Sequence, residues 1–245
     1  MVSYGKAAVR LFLPRPPKTK GGILPVPVYT LCAMGDSITR GVGLPAGEPT
    51  WLERLEAAFP SVRAVNLASG GETSRQALEK KDALRAAKAD ITTLQYGMND
   101  HVLTPDGRNQ VPPEEFRRNL AALIQAAGKA EVILITNHPV LEGDEEHYYF
   151  HRHPGDVYLR SPNEWLEIYN GIVRELAAEG GHSLVDMWAV ASRYPREDFL
   201  RSRKNTPLPA GDDGVHPHLL GVRLYAEHVG MAVGRILRRK EAEEK

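Results

Sequence analysis

From Val28 to the C-terminus, short apolar segments typical of buried strands alternate with segments that have the 3.6-residue period of amphipathic helices. Parallel strands need such crossover helices, so the pattern predicts one α/β domain, a parallel sheet with helices on both faces. The predicted strands are residues 28–34, 62–67, 91–96, 131–136 and 183–186. The predicted helices include an unbroken one over 73–88 and others that begin near Thr50, Pro112, Asn163 and Pro217.

Two segments depart from this alternation. Residues 1–27 are rich in Pro, Gly and Lys, which predicts an irregular N-terminal arm before a domain that spans 28–245. Residues 141–162 form a long polar and aromatic segment that includes Tyr149. Long loops in compact domains are often functional, so we expect this segment on the substrate side of the domain.

The composition narrows the classes of function. Lys+Arg and Asp+Glu both total 31, so the formal net charge is zero and no global basic field favours nucleic acid. The apolar residues 23–34 are interrupted by Pro25 and Pro27 and are too few to span a bilayer. Cys32 is the single cysteine, which excludes an internal disulfide and predicts a cytoplasmic protein. The sequence does not indicate an oligomeric state.

Four polar motifs follow predicted strands or precede the last predicted helix. They are Gly35-Asp36-Ser37-Ile38, residues 66–73 (NLASGGET), Gly97-Met98-Asn99-Asp100 and Asp213-Gly214-Val215-His216-Pro217. The carboxyl ends of parallel strands meet at one edge of a sheet, so distant motifs can build one site there.

Together the motifs contain what acyl transfer requires. The hydroxyl of Ser37 is a poor nucleophile until a base such as His216 takes its proton. Asp213 lies three residues before this histidine, so one turn can bring its carboxylate to the imidazole ring. The oxyanion of a tetrahedral intermediate needs preorganised donors, and the N–H groups of Ser37 and Gly71 and the side-chain amide of Asn99 are three candidates.

The order of these motifs resembles that of the SGNH (GDSL-type) hydrolases, a family named for a Ser, a Gly, an Asn and a His in four ordered blocks. The register of the second block selects Gly71 over Gly70, and that of the last block selects Asp213 over Asp212. The resemblance implies a flavodoxin-like three-layer fold and hydrolysis of esters or thioesters without a cofactor. The matching block residues here are Ser37, Gly71, Asn99 and His216.

Contacts to the substrate are less constrained by the motifs. Asp36 in the first motif, His138 after the fourth predicted strand and Tyr149 in the 141–162 segment are candidates for substrate binding. Nothing in the sequence resembles a large exposed apolar lid, so we expect a small acyl ester, short-chain or O-acetyl, as the substrate.

Two alternatives to a serine esterase stay open at this point. Asp212, Asp213, His216 and His218 could instead ligate a metal in a metal-dependent hydrolase, although no second ligand cluster at a diagnostic spacing supports this. The fold could also serve a non-catalytic binding module. Loss of the nucleophile, the base or an oxyanion residue would favour that alternative, whereas all of them are present.

Overall fold

The computed structural model describes residues 28–142, 160–207 and 213–243, so the predicted N-terminal arm and most of the 141–162 segment lie outside the described residues. Five described strands form one sheet in the order β2-β1-β3-β4-β5, and each neighbouring pair is parallel. This is the flavodoxin-like order, which reverses direction between β1 and β3. The strands are β1 (Tyr29–Gly35), β2 (Val62–Asn66), β3 (Ile91–Gln95), β4 (Glu131–Ile135) and β5 (Ser183–Val185).

The helices cover both faces of this sheet, which confirms the predicted fold class. In chain order they are α1 (Ser37–Arg40), α2 (Trp51–Ala58), α3 (Ser74–Ala77), α4 (Lys81–Ala86), α5 (Pro113–Ala127), α6 (Pro162–Gly180), α7 (Met187–Ala191), α8 (Arg196–Phe199) and α9 (Leu219–Glu243). The side chains of α2 and α9 belong to one hydrophobic core, and most of the buried apolar side chains of α3 to α6 belong to a second.

The strand β1 shows how one sheet serves two cores. Leu31 and Ala33 pack in the core with α2 and α9, whereas Cys32 and Met34 pack in the core with α5 and α6. Successive side chains of a strand point to opposite faces, so a central strand covered on both sides is often apolar at nearly every position. This explains why β1 has the continuous apolar sequence from which it was predicted.

Helix starts follow the local capping signals. Thr50 N donates to Glu53 Oε2 at 2.7 Å, while Glu53 N donates to Thr50 Oγ1 at 3.2 Å. This reciprocal capping box satisfies two otherwise unpaired donors at the start of α2. The same arrangement begins α6, where Ser161 caps Glu164.

The unbroken helix predicted over 73–88 was wrong. Thr73 is the N-cap of a short α3, and a 3₁₀ turn at Leu78–Lys80 separates α3 from α4. The turn contains Lys80, whose Nζ donates to Leu67 O and to Ser69 Oγ, both at 2.7 Å. Such long-range contacts can override helix propensity, and the local sequence pattern does not reveal them. The short helices α1, α7 and α8 were also not predicted.

In the part of the chain that the structure describes, every helix is too short or too polar to cross a membrane.

Candidate active site

Ser37 lies where β1 ends at the carboxyl edge of the sheet. It is the first residue of α1, and this four-residue helix begins immediately after the strand. Gly35 allows the tight passage, because a Cβ there would lie 2.5 Å from Thr39 Oγ1 and 3.1 Å from the carbonyl of Gln95. Among the described residues, no hydrogen bond uses the backbone N–H of Ser37.

Asp36 is the N-cap residue of α1 and is fully buried. Its Oδ1 accepts from Ile38 N at 2.9 Å, and its Oδ2 accepts from Gln95 Nε2 at 3.2 Å. Burial raises the pKa of Asp36 to about 7, although these hydrogen bonds oppose the rise. Both carboxylate oxygens are occupied inside the protein, so the geometry gives no support to a substrate-binding role and instead indicates that Asp36 holds Ser37 in place.

Gly71 and Asn99 come from the loops after β2 and β3. Gly71 has φ +72°, in the left-handed region that favours glycine, and its N–H donates to none of the described residues. Asn99 Nδ2 donates to the backbone carbonyl of Glu72 at 3.0 Å. Because a carbonyl only accepts, this bond fixes which end of the amide is Nδ2 and leaves its second hydrogen for another acceptor.

Asp100 joins the two loops. It is fully buried, and its Oδ1 accepts from Ser74 N at 2.8 Å while its Oδ2 accepts from Gly97 N at 3.2 Å. Burial raises the pKa of Asp100 to about 6, while hydrogen bonds from Ser74 and Gly97 act in the opposite direction. The side chain therefore fixes the position of Asn99 relative to the start of α3.

Glu72 supports the same region from the other side. Its Oε1 lies 2.7 Å from Lys80 Nζ, and its Oε2 accepts from the hydroxyl of Tyr96 at 3.2 Å. The Glu72 side chain is 5% exposed, so its charge needs the ammonium partner that Lys80 provides. This ion pair holds Glu72, whose backbone follows Gly71 and accepts the hydrogen bond from Asn99.

Asp213 and His216 form a tight loop before α9. Asp213 Oδ1 accepts from His216 Nδ1 at 3.2 Å and also from the backbone N–H groups of Val215 at 3.0 Å and His216 at 2.8 Å. Burial by itself would raise the pKa of Asp213, but the hydrogen bonds outweigh it and hold the pKa below its ordinary value. The residue has φ +65°, which the αL-tolerant Asp side chain permits.

The opposite ring nitrogen of His216 is available for proton transfer. Nε2 is buried and has no hydrogen-bond partner among the described residues, while the side chain as a whole is 23% exposed. The imidazole is near enough to Asp36, the neighbour of Ser37, to lower the pKa of that carboxyl group. The structure therefore brings the first and last motifs to one edge of the sheet.

Arg201 completes the surroundings of Asp213. Its Nη1 lies 2.7 Å from Asp213 Oδ2, and the side chain of Asp213 is only 1% exposed. Gly43 makes room for this arginine, because a Cβ there would lie 2.6 Å from Nη1. The two carboxylate oxygens of Asp213 thus have different partners. Oδ1 accepts from Val215 and His216, and Oδ2 faces the guanidinium of Arg201.

A family model identifies the general class of the protein. The model of the GDSL-like lipase/acylhydrolase family matches residues 33–224, which contain all four motifs. The chain belongs to the GDSL-like lipase/acylhydrolase family. It is therefore an ester-hydrolysing enzyme in the general sense that this family defines. A search of curated proteins found no match to the chain.

Solved structures show the same fold at low sequence identity. The lipase/acylhydrolase from Enterococcus faecalis has 21% identity and a TM-score of 0.66, covering 85% of this chain and 97% of that one. A G-D-S-L family lipolytic protein from Veillonella parvula has 21% identity and a TM-score of 0.60, with 84% and 98% covered. A GDSL-like lipase from Parabacteroides merdae has 17% identity and a TM-score of 0.63, with 85% and 96% covered.

Other predicted residues of this GDSL-family chain are placed less favourably for contact with substrate. His138 is fully buried between Tyr225 and the carbonyl of Val215, so the geometry does not support a direct substrate contact. Tyr149 and Asp212 lie outside the described residues. Among residues 28–142, 160–207 and 213–243, no group of three or more His, Cys, Asp or Glu side chains could hold a metal ion.

The motif analysis missed several residues that support the family motifs. Arg201, Glu72, Lys80 and Tyr96 each contact a candidate site residue or the loop that carries it. Glu72 lies inside the second motif, so its position was visible in the sequence. The other three lie outside the motifs, and no local pattern marks them as neighbours of the site.

Proposed function

We propose that this enzyme is a serine esterase with Ser37 as nucleophile, His216 as general base and Asp213 as the carboxylate that orients the base. The observation that carries the proposal is the bond between Asp213 Oδ1 and His216 Nδ1 at 3.2 Å, combined with a free Nε2 on the opposite side of the ring. An ionised carboxylate only accepts hydrogen bonds, so Nδ1 carries the proton and Nε2 has a lone pair for the serine hydroxyl.

The reaction follows from this proton arrangement. Ser37 Oγ attacks the ester carbonyl carbon while its proton passes to His216 Nε2, and the imidazolium is stabilised by Asp213. The same proton then passes to the departing alcohol oxygen, leaving an acyl group on Ser37. A water molecule repeats the sequence, releasing the acid and restoring the free serine. Catalytic hydrogen bonds are often long before substrate binds, so the unpartnered Nε2 is compatible with this role.

Three donors are available for the oxyanion. The N–H groups of Ser37 and Gly71 donate to no described residue, and one amide hydrogen of Asn99 is not used by the carbonyl of Glu72. Donors that are fixed before the reaction stabilise the developing charge without a cost of reorganisation. Asp100 and the Glu72–Lys80 pair supply this rigidity by anchoring the two loops.

We propose a short acyl group, such as acetyl on a hydroxyl-rich leaving group, as the substrate class. An open cavity of about 280 Å³ adjoins Gly71, and the polar side chains of Ser69, Gln76, Glu79 and Lys80 line it. Such a lining can hydrogen-bond a hydroxylated leaving group.

A panel of esters tests both the reaction and the acyl preference. We expect kcat/KM to be higher for acetyl and butyryl esters than for acyl chains of ten or more carbons, and acetylated sugars to be hydrolysed. A value of kcat/KM that climbs with chain length would contradict the proposed substrate class. No turnover of any ester would favour a binding module, and activity lost on exhaustive chelation and restored by zinc or manganese would favour the metal-dependent alternative.

Asn99→Ala is expected to lower kcat by roughly 10²–10³ with little change in KM, because the lost bond is stronger in the transition state than in the ground state. The lost bond to the Glu72 carbonyl should cost only on the order of 1 kcal/mol of stability. Steady-state kinetics and thermal melting of the variant measure the two effects.

Asn109→Ala is the matched control for this variant, because Asn109 Nδ2 also donates to a backbone carbonyl, that of His101, at 2.7 Å. We expect the control to melt earlier and to keep the wild-type kcat. If Asn99→Ala behaves in the same way, Asn99 is a structural residue and the oxyanion role is wrong.

A further inference from the structure

Three consecutive carbonyl groups in the loop before α9 each accept a hydrogen bond from outside that loop, two of them from the segment that follows β4. Two of the donors are backbone N–H groups, and the middle donor is a side chain. The bonds are Leu141 N to Gly214 O at 2.8 Å, His138 Nε2 to Val215 O at 2.7 Å and Arg201 N to His216 O at 2.8 Å. The position of this loop therefore depends at its centre on one side chain, that of His138.

The bond from His138 acts directly before the proposed base. The peptide unit between Val215 and His216 is held on both sides, its carbonyl by His138 and its N–H by Asp213 Oδ1 at 2.8 Å. Fixing both ends of a peptide unit fixes its rotation, and with it the direction in which the next side chain leaves the backbone.

The protonation of His138 follows from its partners. A carbonyl oxygen only accepts, so Nε2 carries the hydrogen, and Nδ1 accepts from the hydroxyl of Tyr225 at 2.8 Å. The ring packs against Phe199 with the centroids 5.0 Å apart. Burial lowers the pKa of His138 to about 4, so the ring is neutral and keeps this bonding pattern at neutral pH.

We infer that His138, oriented by Tyr225, is a positioning residue that sets the geometry of His216 through the carbonyl of Val215. This inference rests on the proposed function, since it assigns His216 as the base. His138 follows β4 by three residues, and Tyr225 lies in α9. The segment after β4 and the helix α9 thus jointly fix the loop before α9. No backbone N–H donates to the central carbonyl of that loop, Val215 O, and His138 supplies the donor instead.

Two amide substitutions separate positioning from simple core stability. The amide nitrogen of a glutamine lies near the position of the imidazole Nε2, so His138→Gln keeps a donor for Val215 O. The amide oxygen of an asparagine lies near the position of Nδ1, so His138→Asn keeps an acceptor for Tyr225 but loses the donor. Both variants place a neutral amide in the same buried site, and both lose the ring contact with Phe199.

We expect His138→Asn to lower kcat by roughly 10–100-fold, because a small misplacement of a reacting group is costly. KM should stay close to the wild-type value, since the His138 side chain is fully buried. His138→Gln should retain most of the wild-type kcat. Val233→Ala, a core truncation elsewhere in α9, should melt earlier without loss of kcat.

Hydrogen exchange of the backbone amides of residues 213–216 gives a second readout that does not need turnover. Exchange in this loop should be faster in His138→Asn than in His138→Gln. Equal kcat and equal loop exchange in the two variants would overturn the inference, whether both match the wild type or both are impaired. If the wild-type enzyme hydrolyses no ester, the proposed function fails, while the exchange comparison still decides whether His138 holds the loop.

Discussion

Ser37→Ala is expected to lower kcat for ester hydrolysis by roughly 10⁶, because the variant has no nucleophile to form the acyl-enzyme. The fold should be unchanged. The Ser37 hydroxyl donates no hydrogen bond to a described residue, and alanine is well tolerated as the first residue of α1. Steady-state kinetics with an acetyl ester and thermal melting of the variant measure the two expectations.

A serine-directed phosphonate makes this test specific. The wild-type enzyme should gain one adduct on Ser37, located by peptide mass mapping, and the variant should gain none. Ser61→Ala serves as the control, since Ser61 precedes β2 at the opposite, amino end of the sheet. An adduct on another serine, or full activity in Ser37→Ala, would show that the nucleophile was assigned wrongly.

Asp213→Asn is expected to lower kcat by roughly 10⁴, because the neutral amide cannot stabilise the imidazolium that forms on His216. Two backbone N–H groups and the imidazole converge on Oδ1, while Arg201 Nη1 faces Oδ2 at 2.7 Å. Whichever way the amide turns, its NH₂ group meets other donors, so the ring also loses its fixed orientation. Kinetics on a short-chain ester measure the effect.

The backbone should tolerate this substitution, because asparagine adopts the φ of +65° at position 213 as readily as aspartate. Asp186→Asn is the matched control. Asp186 also caps a backbone N–H and pairs with an arginine, Arg174, at 2.8 Å, but it follows the edge strand β5. We expect a stability loss without a rate effect in the control. Equal rates in Asp213→Asn and the wild type would contradict the orienting role.

The local part of the architecture could be predicted from the sequence. The apolar strand segments, the capping box at Thr50 and the proline at the start of α5 are encoded within a few residues, and the structure has them at nearly the predicted boundaries. The four motifs and their order also predicted the family correctly. These features depend on local backbone preferences and on which side chains face a core. Both produce local or periodic patterns in the amino-acid sequence.

The catalytic assignments themselves stay predictions. The residues that contact the candidate catalytic side chains were decided by the tertiary structure. No local sequence pattern marks three of these features. They are the contact of Arg201 with Asp213, the bonds of His138 to Val215 and Tyr225, and the 3₁₀ turn that contains Lys80. Each joins residues far apart in the sequence, such as positions 138 and 225. The sequence by itself determined the strand segments, most of the longer helices and the motif residues. Only folding decided which polar side chains meet in the buried space between the strand ends, where a donor needs an acceptor whichever segment supplies it.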